Sequence, residues 1–300
     1  YSYKTGKKIE TILETKIQDY TFSHDESKVL VLNEQQPIYR HSFLGKYHVV
    51  NLSKNGKITA LNNGNWVQEP KFSPDGRFVA FISGNNLYYQ DLGSEKITQI
   101  TFDGEKNKII NGLADWVYEE EFGHADMYQW TKNSESLVFV KFDESQVKEM
   151  NMQVFNGNLY PQDFRFKYPK AGEKNSVVSL YLYDVKAGKA TQIPLDAYYI
   201  PRLQWTKEAN ILSVQTLNRH QNDFNIIFVD ASTKKFKSVY HEVDKAYVSI
   251  TDDLTFLDDN SFIISSEKDG NNHLYHYDKN GKLIKQITQG KWEVTEYYGY

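Results

Sequence analysis

Five times along the chain an aromatic residue leads into a polar turn and then into a run of apolar positions. The segments are TFSHDESKVLVL from Thr21, KFSPDGRFVAFI from Lys71, QWTKNSESLVFV from Gln129, QWTKEANILSVQ from Gln204 and TFLDDNSFIISS from Thr255. A turn such as Ser73-Pro74-Asp75-Gly76 between strand-forming residues predicts a hairpin. Two further short runs follow each segment. The first of them reads YHVVNL, NLYYQDL, SLYLYDV, NIIFVDA and HLYHYD in turn. The second reads KITAL, KITQI, KATQI, KFKSV and KLIKQI. Alternation of this kind, rich in aromatic and β-branched residues, predicts strands.

Aligning Phe22, Phe72, Trp130, Trp205 and Phe256 gives intervals of 50, 58, 75 and 51 residues. Four strands recurring at such a period are the signature of a β-propeller blade. A Greek-key sandwich does not repeat one four-strand grammar five times, so the reading is an all-β propeller of four-stranded antiparallel blades. Two intervals exceed the base period, by about 8 and about 25 residues. The first surplus, at about 105–124, contains NKIINGLADWVYEEEFG, and the second, at about 146–175, contains EMNMQVFNGNLYPQDFRFKYPKAGEKN. Insertions into repeats map to loops, often on one functional face. A short helical turn is expected in the first.

Composition agrees with strands: 22 Tyr and 17 Phe stand against 7 Pro. A net charge of -4 with mixed signs argues against a nucleic-acid surface, and no apolar run is long enough to span a membrane as a helix. The absence of Cys removes disulfides, thiolate zinc sites and Cys nucleophiles together. Among the eight His there is no His-Glu-x-x-His spacing, and His273 and His276 fall on opposite faces of a predicted strand. No Gly-rich phosphate loop is present, so neither a metal nor a cofactor is expected. The chain opens on Tyr1, with no Met and no signal peptide, and is expected to be a fragment or a processed product.

Four stretches, NGLADWVYEEEFG, PIYRHSFLGKYHVVNL, YPKAGEKN and TQGKWEV, together resemble the β-propeller region of the dipeptidyl peptidase IV family. The resemblance runs from about Ile17 to Val294, in the family's order. DWVYEEE carries most of it, because a generic propeller has no reason to place three acids beside Trp116-Val117-Tyr118. Members are serine peptidases that release N-terminal dipeptides, preferring Pro or Ala in second place. The resemblance implies an eight-bladed propeller, here (residues 1–300) incomplete at its C-terminal end, ahead of an α/β-hydrolase domain. No Gly-x-Ser-x-Gly elbow occurs in this chain, so the hydrolase nucleophile is expected elsewhere.

The site follows from the chemistry of a substrate's free amine, a compact cation with three donors. Two carboxylates can accept its hydrogen bonds and neutralise it, and such charge-assisted bonds are the strong ones. Carried over by position, the family's double-Glu motif falls on Glu120 and Glu121, with Glu119 expected to point elsewhere. The Arg of the family's Arg-His-Ser stretch falls on Arg40, whose planar fork suits carboxylates and peptide carbonyls. Arg40 is expected to brace the pair and to bond a substrate carbonyl. Trp116 and Tyr118 are expected to hold the acids rigidly, and His41 to serve packing or a local hydrogen bond. A Phe-Arg pair that some members carry before the last repeat is absent from DKAYVSITDDLTF, which puts the outer subsites in doubt.

The expectation is thus the substrate-gating, amine-recognising propeller of a dipeptidyl peptidase IV-like enzyme, with no turnover of its own. Its expected partners are peptides with a free N-terminus and its own hydrolase domain, and the resemblance admits a homodimer. A compact chain free of Cys suggests a bacterial cell-envelope protein, periplasmic or membrane-associated. Two alternatives stand beside this reading. One is the propeller of a related tripeptidyl peptidase, and the other a non-catalytic protein-interaction propeller, which would need no glutamate pair.

Overall fold

Each aromatic anchor ends the first strand of a blade, and the apolar run after its turn becomes the second. In the computed structural model, which describes residues 2, 4–8, 11, 17–52 and 56–299, five antiparallel blades of four consecutive strands follow one another, the third of them gaining a fifth strand. Tyr1 lies outside the described residues. The first blade comprises β1 (Asp19–Phe22), β2 (Lys28–Pro37), β3 (Phe43–Asn51) and β4 (Lys57–Ala60). The second comprises β5 (Gln68–Phe72), β6 (Phe78–Ser83), β7 (Asn86–Asp91) and β8 (Ile97–Gln99). Between the second and third blades lie β9 (Ile109–Asn111) and a short helix, α1 (Trp116–Glu121).

The third blade starts with β10 (Tyr128–Trp130) and β11 (Ser136–Asp143). A separate hairpin of β12 (Glu149–Val154) and β13 (Gln162–Lys167) interrupts it before β14 (Val177–Asp184) and β15 (Lys189–Ile193) complete the sheet. The fourth blade holds β16 (Tyr199–Trp205), β17 (Ile211–Leu217), β18 (Asp223–Asp230) and β19 (Phe236–Val243). In the fifth are β20 (Thr255–Phe256), β21 (Phe262–Ser266), β22 (His273–Tyr277) and β23 (Leu283–Gln286).

Register preserves the repeat. Phe22 pairs with Val29, Phe72 with Val79, Trp130 with Leu137 and Trp205 with Leu212, always seven residues on. In the fifth blade Phe256 pairs with Phe262, one residue earlier. The second strands are buried on both faces, because each blade packs against its neighbours. Their runs Val29–Leu32, Phe78–Ile82 and Leu137–Val140 are therefore continuously apolar rather than alternating. One core runs unbroken from the second blade to the fifth.

Neither long interval is merely loop. Within 105–124, β9 joins the third blade by pairing with Lys141–Asp143 of β11, and α1 follows. Within 146–175, β12 and β13 form their own two-stranded sheet. Strand order puts every second-to-third-strand connection, and every passage between blades, at the same end of the sheets. The β2–β3 loop with Arg40, α1 and the β12–β13 hairpin thus share one face.

Candidate functional site

Helix α1 is only six residues long, too short to persist on local hydrogen bonds. Its fixation comes from both ends and from beneath. Asp115 caps it, accepting from the N–H of Tyr118 at 3.0 Å, and its other oxygen accepts from Ser176 Oγ at 2.6 Å. Ser176 stands at the root of β14, so the cap ties the helix to the return from the second insertion. Burial pushes the Asp115 carboxyl above its ordinary range, against the bonds it accepts from Ser176, Tyr118 and Val117. At the far end Gly123 has φ 70, and the N–H groups of Phe122 and His124 both return to the carbonyl of Tyr118. Only glycine takes that left-handed position cheaply, which ends the helix at once.

Tyr118 is the floor of the site. Its ring is buried edge-on against Phe142 of β11, with centroids 4.7 Å apart, and its hydroxyl oxygen accepts from the N–H of Ile200 in β16 at 2.9 Å. One side chain therefore pins α1 to the third and fourth blades. Trp116 packs differently, against Tyr168 at 4.1 Å and Phe166 at 6.2 Å, both from the second insertion. Tyr39, from the loop that bears Arg40, meets the same Phe166 at 5.9 Å. Three segments far apart in sequence converge on this aromatic junction.

Consecutive residues of a helix point about 100° apart, so three adjacent glutamates cannot share a direction. Glu119 turns inward, 2% exposed, and its Oε1 accepts from the N–H of His41 at 2.7 Å and of Ser42 at 2.8 Å. Glu120 turns sideways, and its Oε2 accepts from Arg40 Nε at 2.9 Å. Glu121 faces solvent, with no hydrogen-bond or ion-pair partner among the described residues. The two terminal guanidinium nitrogens of Arg40 are likewise unpartnered among the described residues. The imidazole of His41 is exposed, and only its backbone is engaged.

Magnitudes separate these contacts. The Arg40 side chain is 71% exposed and that of Glu120 18% exposed, and a solvated ion pair contributes only ~0–1 kcal/mol. Hydrogen bonds to a buried charge, as at Glu119, contribute about 1.5–3 kcal/mol each. What fixes the Arg40 loop on α1 is thus Glu119, and what the ion pair sets is the direction of the fork. The arrangement leaves the carboxylate of Glu121, one oxygen of Glu120 and the two terminal guanidinium nitrogens of Arg40 without partners among the described residues. Such a set complements a group that is cationic at one end and carbonyl-bearing a few ångströms away.

Sequence reasoning gave Glu119 no role and did not single out Asp115, Ser176, Tyr39, Phe166 or Tyr168. An Asp immediately before a helical turn is a cap signal, so Asp115 was there to be found. The partners of Glu119 lie 77 and 78 residues away, and no local pattern announces them. His273 and His276 serve the fifth blade: His273 is buried and bonds Thr288 Oγ1 and the Gly290 carbonyl, while His276 bonds Ser261 Oγ. No group of three or more His, Asp or Glu among the described residues is arranged to hold a metal ion.

Known proteins share this plan. Residues 23–300 match the family described as the dipeptidyl peptidase IV (DPP IV) N-terminal region. The chain is similar to the crystal structure of Porphyromonas gingivalis dipeptidyl peptidase 4, with a TM-score of 0.93 and 38% identity, over 100% of this chain and 44% of that one. A probable dipeptidyl-aminopeptidase B of Phaeosphaeria nodorum is 29% identical over 91% of this chain and 34% of its own length. An inactive dipeptidyl peptidase 10 of Rattus norvegicus is 28% identical over 97% of this chain and 39% of its own length. The chain spans roughly a third to two-fifths of these curated relatives. With a match across nearly all its blades, it belongs to the dipeptidyl peptidase IV N-terminal region family.

Proposed function

We propose that this propeller is the substrate-gating and N-terminal-amine-recognising part of a dipeptidyl peptidase IV-like serine exopeptidase. The observation that carries the reading is the Arg40–Glu120 contact, which joins residues 80 apart beside the open carboxylate of Glu121. The substrate ammonium sits between Glu120 and Glu121, and the Arg40 fork takes the first carbonyl. With the amine held there, the second peptide bond is presented to a Ser-His-Asp triad on the α/β-hydrolase domain of the parent chain. The propeller performs no bond chemistry; it converts an encounter into an oriented approach, a contribution that can be large. Release of Xaa-Pro and Xaa-Ala dipeptides would reflect a pocket on the hydrolase side. We place the parent in a bacterial cell envelope, periplasmic or membrane-associated.

The test is turnover of a Gly-Pro chromogenic substrate. The parent protein should cleave it and be silenced by a serine-directed inhibitor, while the 300-residue chain should not exceed background. Release of tripeptides instead would move the reading to a tripeptidyl peptidase. Inhibitor-sensitive turnover by the 300-residue chain would put the chemistry in the wrong domain.

A second reading has its own support. The β12–β13 hairpin exposes Phe155, Leu159 and Tyr160, and one similar protein is named as inactive. Exposed apolar side chains grouped at one tip suit a protein contact, such as a homodimer or a non-catalytic assembly. A parent without hydrolytic activity that associates through this hairpin would favour it.

A further inference from the structure

We propose that Glu119 is a positioning residue of the amine site, acting through the loop that carries Arg40. The role of that site rests on the reading above, whereas the clamp itself is a matter of geometry. One oxygen of Glu119 accepts two successive backbone N–H groups, from His41 at 2.7 Å and Ser42 at 2.8 Å. The next residue, Glu120, takes the side chain of Arg40 just before them. Two neighbours on α1 therefore grip three neighbours on the loop, one by backbone and one by side chain. A loop held in both ways cannot swing its guanidinium away from the glutamates.

Other contacts do not replace this grip. The N–H groups of Ile38 and Tyr39 return to the Ser42 carbonyl at 2.9 and 3.4 Å, which closes the turn without tying it to α1. The Tyr39 ring packs on Phe166 of the hairpin, which in turn meets Trp116 of α1, an aromatic contact that holds no backbone group of the loop. The Arg40–Glu120 pair is screened by solvent. Helix α1, in contrast, is fixed independently of the loop, through Asp115 to Ser176 and through Tyr118 to Ile200. Loss of Glu119 should release the loop and leave the helix in place.

The experiment has an arm that reads structure and an arm that reads activity, both in the full-length protein. Hydrogen exchange of a peptide covering residues 38–44 should be about tenfold or more faster in Glu119→Ala, with exchange across 116–122 unchanged. Glu119→Gln retains an acceptor oxygen without charge and should lie between wild type and the Ala variant, which keeps the test usable if Ala folds poorly. In the activity arm, Glu119→Ala should lower kcat/KM on a free-amine dipeptide substrate by about 10- to 100-fold. The double variant Glu119→Ala/Arg40→Ala should be within about threefold of Arg40→Ala alone, because one acts through the other. Purely structural damage would add to the Arg40 loss instead. Unchanged exchange at 38–44, or fully additive losses, would overturn the proposal. A wild-type protein with no dipeptidyl activity would sink the peptidase reading and leave the exchange arm to decide the clamp.

Discussion

The two ends of the blades are held by different kinds of bond. At the end where first strands turn into second strands, a hydroxyl closes several turns from within. The bonds that pass on to the next blade's turn, from the Asp75 N–H to Ser134 Oγ and from the Lys207 and Glu208 N–H groups to Asn260 Oδ1, only join one copy of the repeat to the next. Ser73 Oγ donates to Asp75 and accepts from the N–H of Phe78, five residues on, and Ser23 makes the same bonds with Asp25 and Lys28. Thr131 accepts in the same way from the N–H of Ser136. At the opposite end the important bonds join Glu119 to His41 and Ser42, Glu120 to Arg40, and Tyr118 to Ile200, across 77 to 82 residues. Local bonds make the blades repeat; distant ones make a site out of a repeat. Substitutions at the two ends should therefore differ in kind.

The largest expected effect is at the floor of the site. Tyr118→Ala removes a buried aromatic ring and strands the N–H of Ile200, so the fold should lose ~3–5 kcal/mol. Tyr118→Phe keeps the ring and should cost about 1–3 kcal/mol for the unmet donor. Chemical denaturation of the two variants measures both numbers, and a Tyr118→Phe variant as stable as wild type would show that the Ile200 bond contributes nothing. At the other end, Ser73→Ala should cost about 1 kcal/mol and leave kcat/KM of the parent within twofold, since its partners lie within the same turn. A Ser73→Ala variant that lost activity as badly as Arg40→Ala would erase the distinction between the ends.

A smaller effect concerns pH. Burial, with Asp115 close by, pushes Glu144 beneath the site up to about 7. A carboxyl whose folded pKa is raised favours the fold while protonated, so its contribution is complete below its ordinary pKa and is lost as pH rises through about 7. The uncharged Glu144→Gln should therefore gain on wild type by about 1–3 kcal/mol between roughly pH 5 and pH 8. Thermal melts of the pair across that range provide the check, and a constant difference would mean that Glu144 is not titrating there.

This contrast also explains what could be read in advance. The five blades were legible because an aromatic anchor, a turn and an apolar run recur with a fixed register of seven, and Phe256 breaks it by only one residue. Helix α1 was foreseen as a short helical turn, and Asp115 carries the signature of its cap. The pairing of β9 with β11 was not visible, because IIN is too short to declare a partner. Nor was the junction of Trp116, Phe166, Tyr168 and Tyr39, which exists only once two insertions and a loop lie on one face. The resemblance gave Glu120, Glu121 and Arg40 their expected roles. It set Glu119 apart as pointing elsewhere but gave it no partners, because those are backbone atoms and leave no trace in side-chain identity.

The central claim is that Glu120 and Glu121 receive a free amine, and a cycle between side chain and amine tests it most directly. In the full-length protein, kcat/KM would be measured for wild type, Glu120→Gln and Glu121→Gln on a dipeptide substrate and on its N-acetylated form. Gln keeps the size and removes the charge that faces the ammonium. Losing one partner of a desolvated charge pair costs about 2–5 kcal/mol, so each variant should fall by roughly 30-fold to several thousandfold on the free-amine substrate. Wild type should already handle the acetylated substrate poorly, and the variants should lose little more on it. Equal losses on both substrates would mean that the glutamates act through structure alone, and the amine-receptor account would be wrong.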